Sequence, residues 1–320
     1  MGLSDLRDIA VITPIEYDEL SGATAAVDAF NWLHRYLSIV VQYTDREVYR
    51  TADGTEVPNL VGLVQGLPKF FEHDLFPVFV FEGHHIDLKE PELEARRQRR
   101  REAETRAEEA EAEGREIEAA RYRSRAQRMT SAIERTTREL LDHLDVPYLD
   151  APTEAEAQAA HMARAGDVDY VISDDYDCLL YGTPLTIRQF TTKGNPECMD
   201  FEATLETHEL TRDQLVAIAI LCGTDYNEGI HGVGPKTALE EVKEYGSLAA
   251  VLDRRDVEIV NADRIRDLFL NPTVTDDYHL ERSMAPDFEA AWDYVTDTWE
   301  IPGEEIDTSF DRLRRTFRTA

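Results

Sequence analysis

The sequence predicts an α/β protein with a mostly parallel, twisted sheet flanked by helices. Two observations carry that prediction: short apolar runs that end on an acid, and intervening segments that carry helix start and stop signals. In chain order, Thr24-Ala25-Ala26-Val27 runs into Asp28, Pro77-Val78-Phe79-Val80-Phe81 into Glu82, and Tyr170-Val171-Ile172-Ser173 into Asp174, Asp175 and Asp177. Such runs fit parallel strands buried on both faces. Ligands of open α/β sheets bind outside the carboxyl ends of the strands, so these three ends are expected to share one crevice.

Helices supply the other acids. Thr153-Glu154-Ala155-Glu156 reads as a capping box, with Thr153 as N-cap and Glu156 at the third helical position, and Gly166 closes that helix. The apolar helix from Leu215 to Cys222 breaks at Gly223, and Asp225 follows. Asp28, Glu82, Glu154, Glu156, Asp175, Asp177 and Asp225 can therefore face one cleft. Taken singly, each is an ordinary solvated carboxylate or a first-turn acid favoured by the helix dipole. Together they would repel one another unless cations neutralised them. Oxygen ligands without paired His or Cys point to Mg²⁺ or Mn²⁺, and two such ions about 4 Å apart suit phosphodiester hydrolysis.

From Lys89 to Arg128 the chain holds twelve Lys or Arg and eleven Glu, against a net charge of −31 for the whole. The stretch is rich in Ala, Glu and Arg, with Pro91 placed like a first helical residue and one glycine, Gly114. Two exposed helices hinged near Gly114 are expected, standing over the cleft because they follow Glu82 directly. Arg96 and Arg100 share one face at i, i+4. A salt-bridged solvent hairpin is the plain alternative. Further on, Gly232-Val233-Gly234-Pro235-Lys236 joins the helix ending at Cys222 to another from Pro235 to about Tyr245. Glycines that expose backbone amides ahead of a helix N-terminus suit a phosphate-binding turn, read without base specificity, although any tight turn between helices favours glycine.

Composition sets the limits. A chain of 320 residues with 42% hydrophobic content can bury a full core, and no apolar run approaches the length of a membrane span. No basic-then-apolar leader is visible, so a cytoplasmic protein is expected; a monomer is the accompanying expectation. Cys178, Cys198 and Cys222 lack CxxC spacing and read as reduced packing residues. Sixty-five acids against 34 Lys and Arg, of which only five are Lys, resemble the proteins of salt-accumulating halophiles, so the acidity reports habitat rather than substrate.

The combination resembles the flap endonucleases of the XPG-like, structure-specific 5′ nuclease superfamily. The resemblance rests on Met1-Gly2-Leu3, Val27-Asp28-Ala29, the run ending in Phe81-Glu82-Gly83, the arginine-rich segment, Tyr148 to Ala157, Asp175-Tyr176-Asp177-Cys178-Leu179, and Gly223-Thr224-Asp225-Tyr226 before the glycine turn. It implies a PIN/resolvase-like core with a helical arch and a helix-two-turn-helix subdomain. The catalytic unit would comprise residues 1–110, 111–215 and 216–320. It implies seven metal-binding carboxylates, two Mg²⁺ ions, and Lys89 and Arg96 as a basic pair on the scissile phosphate. His34, Arg100, Gly232, Gly234 and Lys236 would contact DNA, with a K⁺ ion at the helix-two-turn-helix. The implied substrate is branched DNA with a 5′ flap, met in replication and repair, with 5′-3′ exonuclease cutting beside it.

Three departures stand out. Family members carry Asp where this chain has Glu82, and a tyrosine at the place of His34. The tail from Leu313 lacks the Gln-initiated, doubly aromatic peptide that docks on the replication sliding clamp. Two other readings stay open on the residues: a divergent paralogue that binds branched DNA without efficient cleavage, and an RNA-processing nuclease of the same architecture.

Overall fold

The structure, a computed structural model, describes residues 3–84, 86–126, 129–190 and 194–317. Met1, Gly2, Arg128, Lys193 and the Arg318-Thr319-Ala320 end of the tail lie outside these. Among the described residues seven strands, β1 (Val11–Pro14), β2 (Thr24–Asp28), β3 (Phe76–Phe81), β4 (Tyr148–Asp150), β5 (Tyr170–Ile172), β6 (Leu185–Arg188) and β7 (Glu197–Asp200), form one sheet. Its order is β1-β7-β6-β5-β2-β3-β4. The five strands from β6 to β4 are mutually parallel, and β7 runs against both β6 and β1.

Alternation along the buried strands divides the interior into two cores. Ala26, Val78, Val80 and Val171 point to one face, packed by the Ala155–Ala165, Arg212–Cys222 and Pro235–Tyr245 helices. Ala25, Val27, Phe79, Phe81 and Ile172 point to the other, against the Ala29–Tyr43, Pro58–Gly66 and Ser131–His143 helices and the C-terminal Asp307–Thr316 helix. Register pairs Val27 with both Phe79 and Ile172, and Phe79 with Tyr148, so four strand ends finish at one edge. Those ends are β5, β2, β3 and β4.

The arginine-rich stretch folds into the Glu90–Ala112 and Glu116–Ala126 helices, with Gly114 between them at φ +71. Buried Ala103, Ala107, Ala110 and Ala119 give this hairpin its small apolar seam. Its second helix rests on the Ala29–Tyr43 helix, where the Ser124 hydroxyl donates to the Ser38 carbonyl at 3.0 Å.

Several expectations need correcting. The helix after β4 starts at Ala155 with Glu154 as N-cap, and no side chain caps it. The Thr153 hydroxyl donates to the Thr273 carbonyl at 3.3 Å instead, a tertiary partner that local sequence does not reveal. Pro91 is the second residue of its helix, not the first.

Candidate active site

Each predicted acid arrives on a different element, and the sheet edge gathers them. Asp28 ends β2 and caps the next helix: its Oδ1 accepts from Asn31 N at 3.0 Å and its Oδ2 from the Ser173 hydroxyl at 3.2 Å. Glu82 follows β3, in a loop locked to the one after β4 by Gly83 N donating to the Thr153 carbonyl at 2.7 Å. Glu154 and Glu156 stand at the start of the helix after β4, while Asp175 and Asp177 occupy the turn after β5. Carboxylate oxygens of Glu82, Glu154 and Glu156 lie within 4.8 Å of one another. Asp28, Glu82, Glu156, Asp175, Asp177 and Asp225 line a single cavity of about 1020 Å³. All seven acids come together.

Electrostatics shows how uneasy this grouping is without counter-charge. Burial first, then the nearby Glu82 and Asp175 carboxylates, push Asp28 up to about 7. Burial also raises Glu82, Glu156, Asp175 and Asp177, with neighbouring acids adding to the shift. Glu156 Oε2 and Asp177 Oδ1 are buried with no hydrogen-bond partner among the described residues. Buried anionic oxygens left unpaired are costly, and hard oxygen donors in this density suit a divalent cation. The cluster could hold metal.

Two predicted cations reach in from the other side. Lys89 is buried, with Nζ 2.6 Å from Glu154 Oε2 and 3.9 Å from Asp225 Oδ2. Burial works against its charge, yet Glu154, Glu82 and Glu156 outweigh that and hold its pKa above the ordinary lysine value. Arg96 Nη2 lies 2.5 Å from Asp225 Oδ2 and its Nε 3.0 Å from Glu92 Oε1. His34 and Arg100 line the same cavity, and burial, then the positive charges of Arg100 and Arg96, lowers the imidazole pKa.

Gly232, Gly234 and Lys236 lie outside this cavity lining. Gly232 adopts φ +81, Gly234 caps the Pro235–Tyr245 helix, and exposed Lys236 has its Nζ 3.7 Å from Asp8. Local sequence did not single out Asn31, Arg35, Arg106 and Arg125, which also line the cavity. Asn31 and Arg35 sit three and seven residues after Asp28, on the helix face that already carries His34. That spacing was the available signal.

Residues 1–103 match the XPG N-terminal domain and residues 145–225 the XPG I-region. Flap endonuclease 1 of Haloarcula marismortui is 54% identical over 98% of this chain and 96% of its own length. The chain belongs to the XPG family of flap endonucleases. Within the family, the relative from Haloquadratum walsbyi is 52% identical over 98% of the chain and 96% of its own. The solved flap endonuclease-1 from Methanococcus jannaschii is 33% identical, covers 99% of both chains and superposes with a TM-score of 0.78. The catalytic core of Rad2 in complex with DNA shares the fold at 24% identity and a TM-score of 0.73, covering 98% of this chain and 100% of its own. Haloarchaeal relatives at this identity fit the acidic composition. Among the described residues no helix is long and apolar enough to cross a membrane.

Proposed function

We propose that the protein is a structure-specific 5′ flap endonuclease that hydrolyses DNA phosphodiesters during replication and repair. One observation carries the reading: seven acids from five separate parts of the chain converge at one sheet edge, two of them with buried, unpartnered oxygens. Asp28, Glu82, Glu154, Glu156, Asp175, Asp177 and Asp225 would hold two Mg²⁺ or Mn²⁺ ions. Such ions supply Lewis-acid chemistry, activating water and neutralising charge at the phosphate.

The chain's own residues do the rest. Lys89 and Arg96 bring positive charge to the place where the phosphate must lie, and their present partners, Glu154 and Asp225, keep that charge poised at the cluster. His34 offers a ring at the cavity wall for stacking on a base beside the cut. Arg100 and the other arch arginines give the flap strand a cationic path. The turn at Gly232 and Gly234, ahead of a helix N-terminus and next to Lys236, takes the downstream duplex backbone, with K⁺ bound there.

Glu82 does not argue for lost catalysis. Its carboxylate stays within 4.8 Å of those of Glu154 and Glu156 despite the extra methylene. The test is a labelled 5′-flap substrate with Mg²⁺ at multimolar KCl: wild type should cut, and Asp177→Asn should still bind duplex but not cut. Full cleavage by that variant would remove these acids from the chemistry.

A further inference from the structure

The turn that carries Asp175 and Asp177 is held from behind by Arg188, which has no part in the chemistry above. Arg188 ends β6, beside β5, and Ser173 N donates to the neighbouring Ile187 carbonyl at 3.3 Å. Its guanidinium therefore starts next to the turn. Nη2 donates to the Asp174 carbonyl at 2.8 Å, and the guanidinium carbon lies 3.8 Å from the centroid of the Tyr176 ring. The two contacts bracket Asp175.

Arg188 is only 7% exposed, and its Nε and Nη1 have no hydrogen-bond partner among the described residues. A buried guanidinium that makes so few hydrogen bonds is a poor choice for stability alone. The carboxylate of Asp174 adds further ties: it pairs with Arg35 and accepts from Gln189 N at 2.7 Å, while Asp174 N donates to Asn31 Oδ1 at 3.0 Å. Within the turn, the link between the two acids is Asp177 N donating to Asp175 Oδ1 at 3.1 Å. Two like charges this close push apart, so their spacing must be set from outside.

We propose that Arg188 is a positioning residue, holding Asp175 and Asp177 in the arrangement that accepts a divalent cation by gripping the Asp174 backbone and the Tyr176 ring. This rests on the reading that these acids bind metal. Charge and position predict opposite signs. A cation acting only through space opposes a metal ion, so its removal would tighten binding. A clamp, once removed, weakens it, and outer partners of this kind are typically worth about 10- to 100-fold in metal affinity.

Mn²⁺ binding to the full chain, measured by calorimetry, decides. Arg188→Met should bind Mn²⁺ about 10- to 100-fold more weakly, with cleavage recovering as Mn²⁺ is raised. Arg188→Lys keeps the charge but not the planar fork, and should weaken binding as well. Ile187→Val, a core change on the same strand, should lower the melting temperature and leave Mn²⁺ affinity unchanged. If Arg188→Met does not fold, Tyr176→Leu removes one half of the grip and should also weaken binding. Unchanged or tighter binding in the folded variants overturns the proposal. Asp177→Asn separates the two ideas: wild-type Mn²⁺ binding there defeats the metal reading itself, whereas loss there beside normal binding in Arg188→Met defeats the clamp alone.

Discussion

Asp28 shows how one side chain serves both fold and site, because one oxygen caps a helix, the other accepts from Ser173, and the group still faces the cavity. Its pKa, raised from 3.8 to about 7 by burial and then by Glu82 and Asp175, fixes the sign of a pH effect. A folded-state value above the unfolded one gives stability that is complete below the unfolded pKa and is lost as pH rises through the folded one. Metal-free protein should therefore melt at lower temperature at pH 8 than at pH 5, and Mg²⁺ should raise the melting temperature more at pH 8. Equal Mg²⁺ shifts at both pH values in thermal melts would contradict this. Glu82 makes a second residue-level prediction. Glu82→Asp draws the carboxylate back by about 1 Å from a cluster built around the longer side chain, and a displacement of that size can cost on the order of 10- to 100-fold in kcat/KM. A faster Asp variant in a steady-state flap assay would mean that the longer acid is a defect.

The elements that position the cluster differ in how openly the sequence announces them. β2, β3 and β5 were legible because each is a largely buried apolar run with an acid at or just beyond its carboxyl end. The two helices of the arch were legible from composition with Gly114 between them, and their place over the cleft from following Glu82 directly. β1, β4, β6 and β7 were not, since they span three or four residues and mix polar with apolar side chains, with Pro14 in β1 and Asp150 in β4. Pairing with neighbours makes them strands, and such partners are distant in sequence. The Thr153 cap failed for a related reason, because a carbonyl 120 residues away claimed the hydroxyl. Gly83 marks where two acid-bearing loops are pressed together: a Cβ there would lie 1.9 Å from the Ala151 carbonyl oxygen and 2.7 Å from Pro152. Gly83→Ala should cost about 1–3 kcal/mol in denaturant melts and separate Glu82 from Glu154. Wild-type stability together with wild-type Mn²⁺ affinity would show that the loops are not interlocked.

At the scale of the whole molecule, charge and connectivity matter most. A net charge of −31 repels itself at low ionic strength, and the arch, with twelve Lys or Arg against eleven Glu, satisfies many of its arginines internally, as Arg97 does with Glu90 and Glu94. The melting temperature should rise steadily from 0.1 M to several molar KCl, a range over which exposed charges are screened ever more closely. A flat profile in calorimetric scans would remove repulsion as the dominant long-range term. The sheet order has its own consequence. β2, near the amino end, lies between β3 and β5, so the strand bearing Asp28 waits for residues 170–172 before its second edge is filled, and for Asp225 before the acids are all present. Contacts this remote along the chain form late. During translation, a nascent chain shorter than about two thirds of its final length lacks Asp225 and cannot bring the full set of acids together.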